Sequence, residues 1–215
     1  MRVRRIVDLS HVVSPDTQVY PGDPEPVFTP HATVGRDGYN LMHIAMGAQT
    51  GTHLDAPRHI LDDGESVELL APERLVGRGV VLDARDAPPR SLLTPERWHD
   101  TVPEPGDIAL VHTGWSVNFG TAAYFDHPAL SVEACRWLLD RGVRTIGIDA
   151  PSVDLTGDGA LPAHHVLAGG GAVICENLRN LGAIDFPDPF VSVLPIPFEG
   201  TDGAPVRAVA MQLGM

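Results

Sequence analysis

Apolar positions along the chain fall in short runs separated by glycine, proline and charged residues. That spacing predicts many short strands joined by tight turns. RIVDL at 5–9 reads as a first strand. Residues 39–49, YNLMHIAMGAQ, alternate with Met42, Ile44 and Met46 on one side and His43 and Gln49 on the other, as a strand would. GVVLDA at 79–84, DIALVHT at 107–113, RTIGID at 144–149 and AVICEN at 172–177 are apolar strand candidates, and VSVLPIPF and PVRAVAMQL close the chain. The clearest helix is 132–141: Ser131 is an N-cap, Glu133 suits the first turn, Arg141–Gly142 ends it, and Ala134, Trp137 and Leu138 form its apolar stripe. His165 to Ala168 reads as a short helical turn. Five prolines and Gly22 between Ser14 and Pro30 predict an irregular surface arm.

This order is α/β but β-rich, with few helices. It has too few βαβ units for a doubly wound nucleotide fold. Its 22 glycines and 20 prolines are spread along the 215 residues rather than gathered into a linker, so residues 1–215 are expected to form a single domain. Fifteen Lys and Arg against 28 Asp and Glu give a net charge of −13. Such a chain repels phosphate backbones and anionic lipid, so neither a nucleic acid nor a membrane is expected as partner. Two cysteines, Cys135 and Cys175, cannot build a disulfide framework or a thiolate zinc site, and Cys175 reads as an inert core thiol. No apolar h-region follows MRVRRIVDLS, and a cytoplasmic location is expected.

The chemistry concentrates in Gln49-Thr50-Gly51-Thr52-His53-Leu54-Asp55-Ala56-Pro57-Arg58-His59. In extended backbone, residues two apart point to the same side, so His53 and Asp55 could grip one ion together. Imidazole plus carboxylate suits zinc, manganese or iron. H-x-D is a common pairing, and a polar loop with incidental histidines fits the spacing as well. Glu176 directly follows the apolar run 172–175, where a buried carboxylate needs a partner or a cation. Upstream, adjacent His164 and His165 face different ways, so one can be a ligand and the other structural. Asp149 ends an apolar strand and Asp154 sits in the turn after it; both also suit plain turn formation. G-x-S-x-G, a P-loop and H-E-x-x-H are absent, and His11, His31, His99, His112 and His127 have no partner pattern.

Together these segments resemble the cyclase family of metal-dependent hydrolases, best known from bacterial kynurenine formamidases. The family segment H-x-G-T-H-x-D-x-P-x-H reads Q-T-G-T-H-L-D-A-P-R-H here. DLSH at 8–11, YPGDP at 20–24, GDIALVHTGW at 106–115, GIDAPSVD at 147–154, HHVLAGGGAVICENL at 164–178 and EGTDGAPVRAV at 199–209 extend the match over nearly the whole chain. The resemblance implies a swivelling β/β/α-type fold in homodimers or homotetramers. It implies metal ligands at His53, Asp55, His164 and Glu176, with His59 as the catalytic histidine. The family's first histidine is Gln49 in this chain, which can offer only a neutral carbonyl oxygen as a weak ligand. One tightly held zinc or manganese ion is therefore expected, with any second ion weak. Asp149 or Asp154 would orient a metal-bound histidine.

Three activities follow as expectations. The first is hydrolysis of an aryl formamide, N-formylkynurenine to kynurenine and formate, with His59 as acid and base. The second is opening of a cyclic amide or lactone such as isatin, or ring closure in a polyketide pathway. The third, from another class, is metal or ligand binding without turnover.

Overall fold

The computed structural model describes residues 2–214, in which thirteen strands and three α-helices alternate with single turns of 3-10 helix. The strands are β1 (Arg2–Asp8), β2 (Val27–Ala32), β3 (Leu41–Ala45), β4 (His53–Asp55), β5 (Val76–Asp83), β6 (Leu92–Leu93), β7 (Ile108–His112), β8 (Ala129–Leu130), β9 (Thr145–Ile148), β10 (Val173–Glu176), β11 (Phe190–Ser192), β12 (Gly203–Pro205) and β13 (Val209–Gly214). The helices are α1 (Val34–Asp37), α2 (Val132–Asp140) and α3 (Pro162–Gly169). Nine strands make one sheet in the order β1-β13-β11-β5-β7-β9-β10-β4-β12. Its centre, β5-β7-β9-β10, is parallel, and β1, β13, β11, β4 and β12 pair antiparallel with their neighbours. The architecture is the β-rich mixed α/β class expected from the pattern.

Both faces of the sheet are covered, which is why its central strands read as continuous apolar runs. Along β7, Ile108 and Leu110 enter one core with Leu54, Val173 and Cys175. Ala109 and Val111 enter the other with Ile146, Ile148 and residues of α2 and α3. The alternation also places the polar groups. Leu54 fills the first core, so its neighbours His53 and Asp55 must face the second, helical side. On β10, Cys175 faces the first core and Ile174 the second, so Glu176 points with Ile174 toward α3.

Helix α2 forms where its cap predicts: Ser131 Oγ accepts from Ala134 N at 3.1 Å, and Gly142 leaves the helix at φ +78. Its stripe differs by one residue from the expected one. Cys135 is fully buried beside Ala134 and Leu138, while Trp137 lies at the edge with the Arg141 guanidinium 4.2 Å above its ring. The helical turn at 165–168 extends back to Pro162.

The proline-rich arm also departs from expectation. Its last residues form β2, which pairs with β3 in a separate two-stranded hairpin. Its middle is tied to the 120–121 segment of the same chain. Gln18 Nε2 donates to Thr121 O at 2.9 Å, and Gln18 Oε1 accepts from Gly120 N at 2.8 Å. The alternation read over 39–49 stops at Ala45, and residues 48–52 form turns and bends.

Candidate metal centre and active site

Cross-strand register assembles the site. Within β4, His53 lies opposite Glu176 of β10 and Pro205 of β12, and Asp55 lies opposite Gly203. Gly203 is required there: a Cβ on it would stand 2.7 Å from Gln49 Nε2 and 2.9 Å from Leu54 O. His164 arrives from the first turn of α3. Its Nε2 lies 3.5 Å from Glu176 Oε1 and 3.8 Å from Asp55 Oδ2, while His53 Nε2 lies 3.5 Å from both Asp55 Oδ1 and Glu176 Oε2. Two carboxylates and two imidazoles thus converge in a region where each residue is at most 5% exposed.

Each histidine is anchored through its other nitrogen. His53 Nδ1 donates to Gly51 O at 2.9 Å, and His164 Nδ1 donates to Asp154 Oδ2 at 2.7 Å. That fixes both tautomers and leaves both Nε2 atoms facing the carboxylates, the arrangement metal-binding histidines use. Asp154 also accepts from Ala163 N at 2.8 Å and His164 N at 3.0 Å, so it caps α3 while it aims His164. Asn177, at φ +56, secures the turn before β4: its Nδ2 donates to Gly51 O at 2.9 Å, and its Oδ1 accepts from Tyr124 Oη at 2.8 Å.

The electrostatics call for a cation. Burial disfavours the His53 imidazolium, but Asp55 and Glu176 outweigh it and push the pKa up to about 9. At His164 burial is likewise overcome, foremost by Asp154, and the pKa rises to about 10. Burial opposes ionisation of Asp55, yet His53 and His164 hold it down at about 2. His53 Nε2 and Asp55 Oδ2 are buried with no hydrogen-bond partner. A divalent ion would satisfy these orphaned atoms and replace the protons the cluster otherwise attracts. Donor atoms of His53, Asp55 and Glu176 lie within 4.8 Å of one another, as do those of Asp55, His59 and His164, so Asp55 is common to both groups.

His59 follows β4 on the 3-10 turn Pro57–His59 and is half-buried beside the cage. The remaining sequence candidates fall differently. Asp149 touches neither cage histidine: it accepts from Thr113 N, Thr113 Oγ1 and Gly114 N at 2.7, 2.6 and 2.9 Å, and so ties down the turn after β7. Of the two aspartates expected behind a histidine, only Asp154 stands there. The Gln49 side-chain nitrogen faces the acidic groups at the edge of the cage. This Nε2 bonds Asp202 Oδ2 at 2.8 Å and lies 3.5 Å from Asp55 Oδ1. Carboxylates only accept, so the amide nitrogen must face them and its carbonyl oxygen faces away. Asp202, Asn177 and Tyr124 were not singled out in the sequence. Asp202 and Asn177 lie within matched segments, but nothing in their local pattern distinguishes them from turn residues.

Three of the cage residues, His53, His164 and Glu176, line a cavity of about 220 Å³. Tyr20 and Asp23 from the arm, Gln49, His59, Tyr124, Phe125 and Leu161 line it as well. Tyr20 meets Phe125 edge-on at 6.2 Å between ring centroids.

Comparison with known proteins agrees with this architecture. A kynurenine formamidase from Salinibacter ruber is 33% identical over 208 residues, spanning 95% of this chain and 96% of that one. Another, from Bordetella avium, is 30% identical over 220 residues, 99% of this chain and all of the relative. Among solved structures, isatin hydrolase A from Labrenzia aggregata bound to benzyl benzoate superposes with a TM-score of 0.87 at 30% identity, over 96% of this chain and 93% of that one. A protein described as a potential metal-dependent hydrolase with cyclase activity superposes at 0.81, with 26% identity over 98% and 99% of the two chains. The family model described as "Putative cyclase" matches residues 7–155, and the chain belongs to that cyclase family.

Proposed function

We propose that this protein hydrolyses the C–N bond of an aryl formamide, N-formylkynurenine being the best-fitting substrate, and releases formate and the aryl amine. The observation that carries the reading is the buried cage of His53, Asp55, His164 and Glu176, three of which line a cavity together with His59, Tyr20, Tyr124 and Phe125. The full-length similarity to kynurenine formamidases supports the choice of bond.

The four cage residues would hold a divalent ion, zinc or manganese, which polarises the scissile carbonyl and acidifies water. Asp154 keeps His164 aimed and Gly51 keeps His53 aimed, so the donors need no rearrangement to bind. His59 moves the protons. It takes one from water as the oxygen bonds to the formyl carbon, then gives it to the aryl nitrogen as the C–N bond breaks. Tyr20, Tyr124 and Phe125 offer faces and edges to an aromatic ring. Because Gln49 turns its nitrogen toward the cage, one tight ion per chain fits the donor set, and a second would be weak.

The isatin hydrolase likeness favours a second reading, opening of a cyclic aryl amide by the same water attack. The experiment is metal analysis of the purified protein, then a panel of aryl formamides, lactams and lactones with zinc or manganese restored. Formamide hydrolysis that disappears on chelation and returns with metal is expected. Turnover of lactams alone would favour the second reading, and full activity with an empty site would overturn both.

Self-association belongs to this proposal. Strand β3 is exposed along its whole length, and Leu41, Met42 and Ile44 are each nearly half accessible. A lone two-stranded hairpin is marginal in water, so a second copy of the chain is the cover that would stabilise it.

A further inference from the structure

We infer that Asp202 is the positioning residue of His59 and that Gln49 holds Asp202 in place. Asp202 Oδ2 lies 3.2 Å from His59 Nδ1 and accepts from Gln49 Nε2 at 2.8 Å. Gln49 Nε2, which can only donate, also stands 3.4 Å from His59 Nδ1, but the Asp202 carboxylate is nearer and can only accept, so the proton sits on Nδ1 and Nε2 is left bare to take a proton from water. Neither donor group of the cage includes Asp202. Among the described residues its one ionic partner is His59.

The backbone fixes this triangle independently of the side chains. Ala56 N donates to Asp202 O at 2.9 Å, which ties the residue to the end of β4 just before the turn that carries His59. The next residue, Gly203, is paired with Asp55. The glutamine that stands at the family's first histidine thus supports the acid–base group instead of binding metal.

The inference rests on the hydrolase reading, and its test separates the two. Nitrogen NMR of zinc-loaded protein, with the His59 resonances identified by loss in His59→Gln, reports the tautomer without any substrate. Wild type should show His59 protonated at Nδ1 alone, and Asp202→Asn should show a mixture. In turnover, Asp202→Asn should lower kcat about 100-fold, on the order of an acid–base contribution, with KM within about twofold and zinc content unchanged. Asp202→Glu should recover part of kcat, and Gln49→Ala should lower kcat about 10-fold with zinc retained. A wild-type tautomer protonated at Nε2, an Asp202→Asn variant with full kcat, or zinc lost in step with activity would each overturn the inference. A wild type that hydrolyses nothing in the panel while showing the expected tautomer would overturn the substrate reading alone.

Discussion

Asp154 Oδ2 accepts the Nδ1 proton of His164 at 2.7 Å, and the same carboxylate caps the helix on which His164 rides. One residue thus sets both the position of α3 and the direction of Nε2. Asp154→Ala should weaken zinc affinity about 10- to 100-fold, the usual effect of removing a carboxylate behind a metal-binding histidine. Competition against a chromophoric chelator measures this directly. An unchanged affinity would mean that packing of α3 alone orients the imidazole.

Metal binding should release protons. His53 and His164 have folded pKa values near 9 and 10, above the ordinary 6.5 of histidine, so both are charged at neutral pH in the metal-free protein. A bound ion needs both neutral. Calorimetry at pH 7.5 in buffers of different ionisation heat should therefore find about two protons released per ion, with affinity rising as pH climbs toward 9. The sign for metal-free stability is the reverse. The two raised pKa values contribute stability that is complete below about pH 6.5 and fades as pH passes through 9 to 10.

His59→Ala should keep the ion and lose turnover by about 100-fold or more. His165 is exposed on the next position of α3 and takes no part in the cage, so His165→Ala should leave kcat within about twofold. Steady-state kinetics with metal content measured on the same samples decides between them, and exchanged phenotypes would refute the role given to His59.

Gln49→His replaces an amide donor by an imidazole at the edge of the Asp55, His59, His164 group. Zinc content after dialysis should rise from one toward two per chain, read by mass spectrometry. Two tight ions in the wild type would show that the Gln49 amide is no barrier to a second site.

Charge on the hairpin should dissociate the assembly. Met42 and Ile44 are both exposed on β3, and Met42→Glu with Ile44→Glu would bury two carboxylates in any interface formed there. Light scattering should give a multiple of 23.0 kDa for wild type and 23.0 kDa for the double variant. A wild-type monomer would refute association through this surface.

What the sequence determined is what short range decides. Helix α2 is written in Ser131, Glu133 and the Arg141–Gly142 stop, because capping acts within one turn. The common side of His53 and Asp55 follows from strand parity, and the resemblance of the 49–59 segment and of the 164–178 segment pointed to the cage residues. Tertiary structure decided the rest. Glu176 meets His53 because β10 and β4 are antiparallel neighbours in a sheet covered on both faces, a pairing fixed by where Leu54 and Cys175 pack. Asp149 and Asp154 look alike in a chain of turns, yet only Asp154 sits beneath α3. The direction of the Gln49 amide depends on Asp202, 153 positions away, and hydrogen bonding across that distance leaves no trace in local pattern. Periodicity records how each segment faces water, whereas partners are chosen by packing between segments, and the site is built from partners.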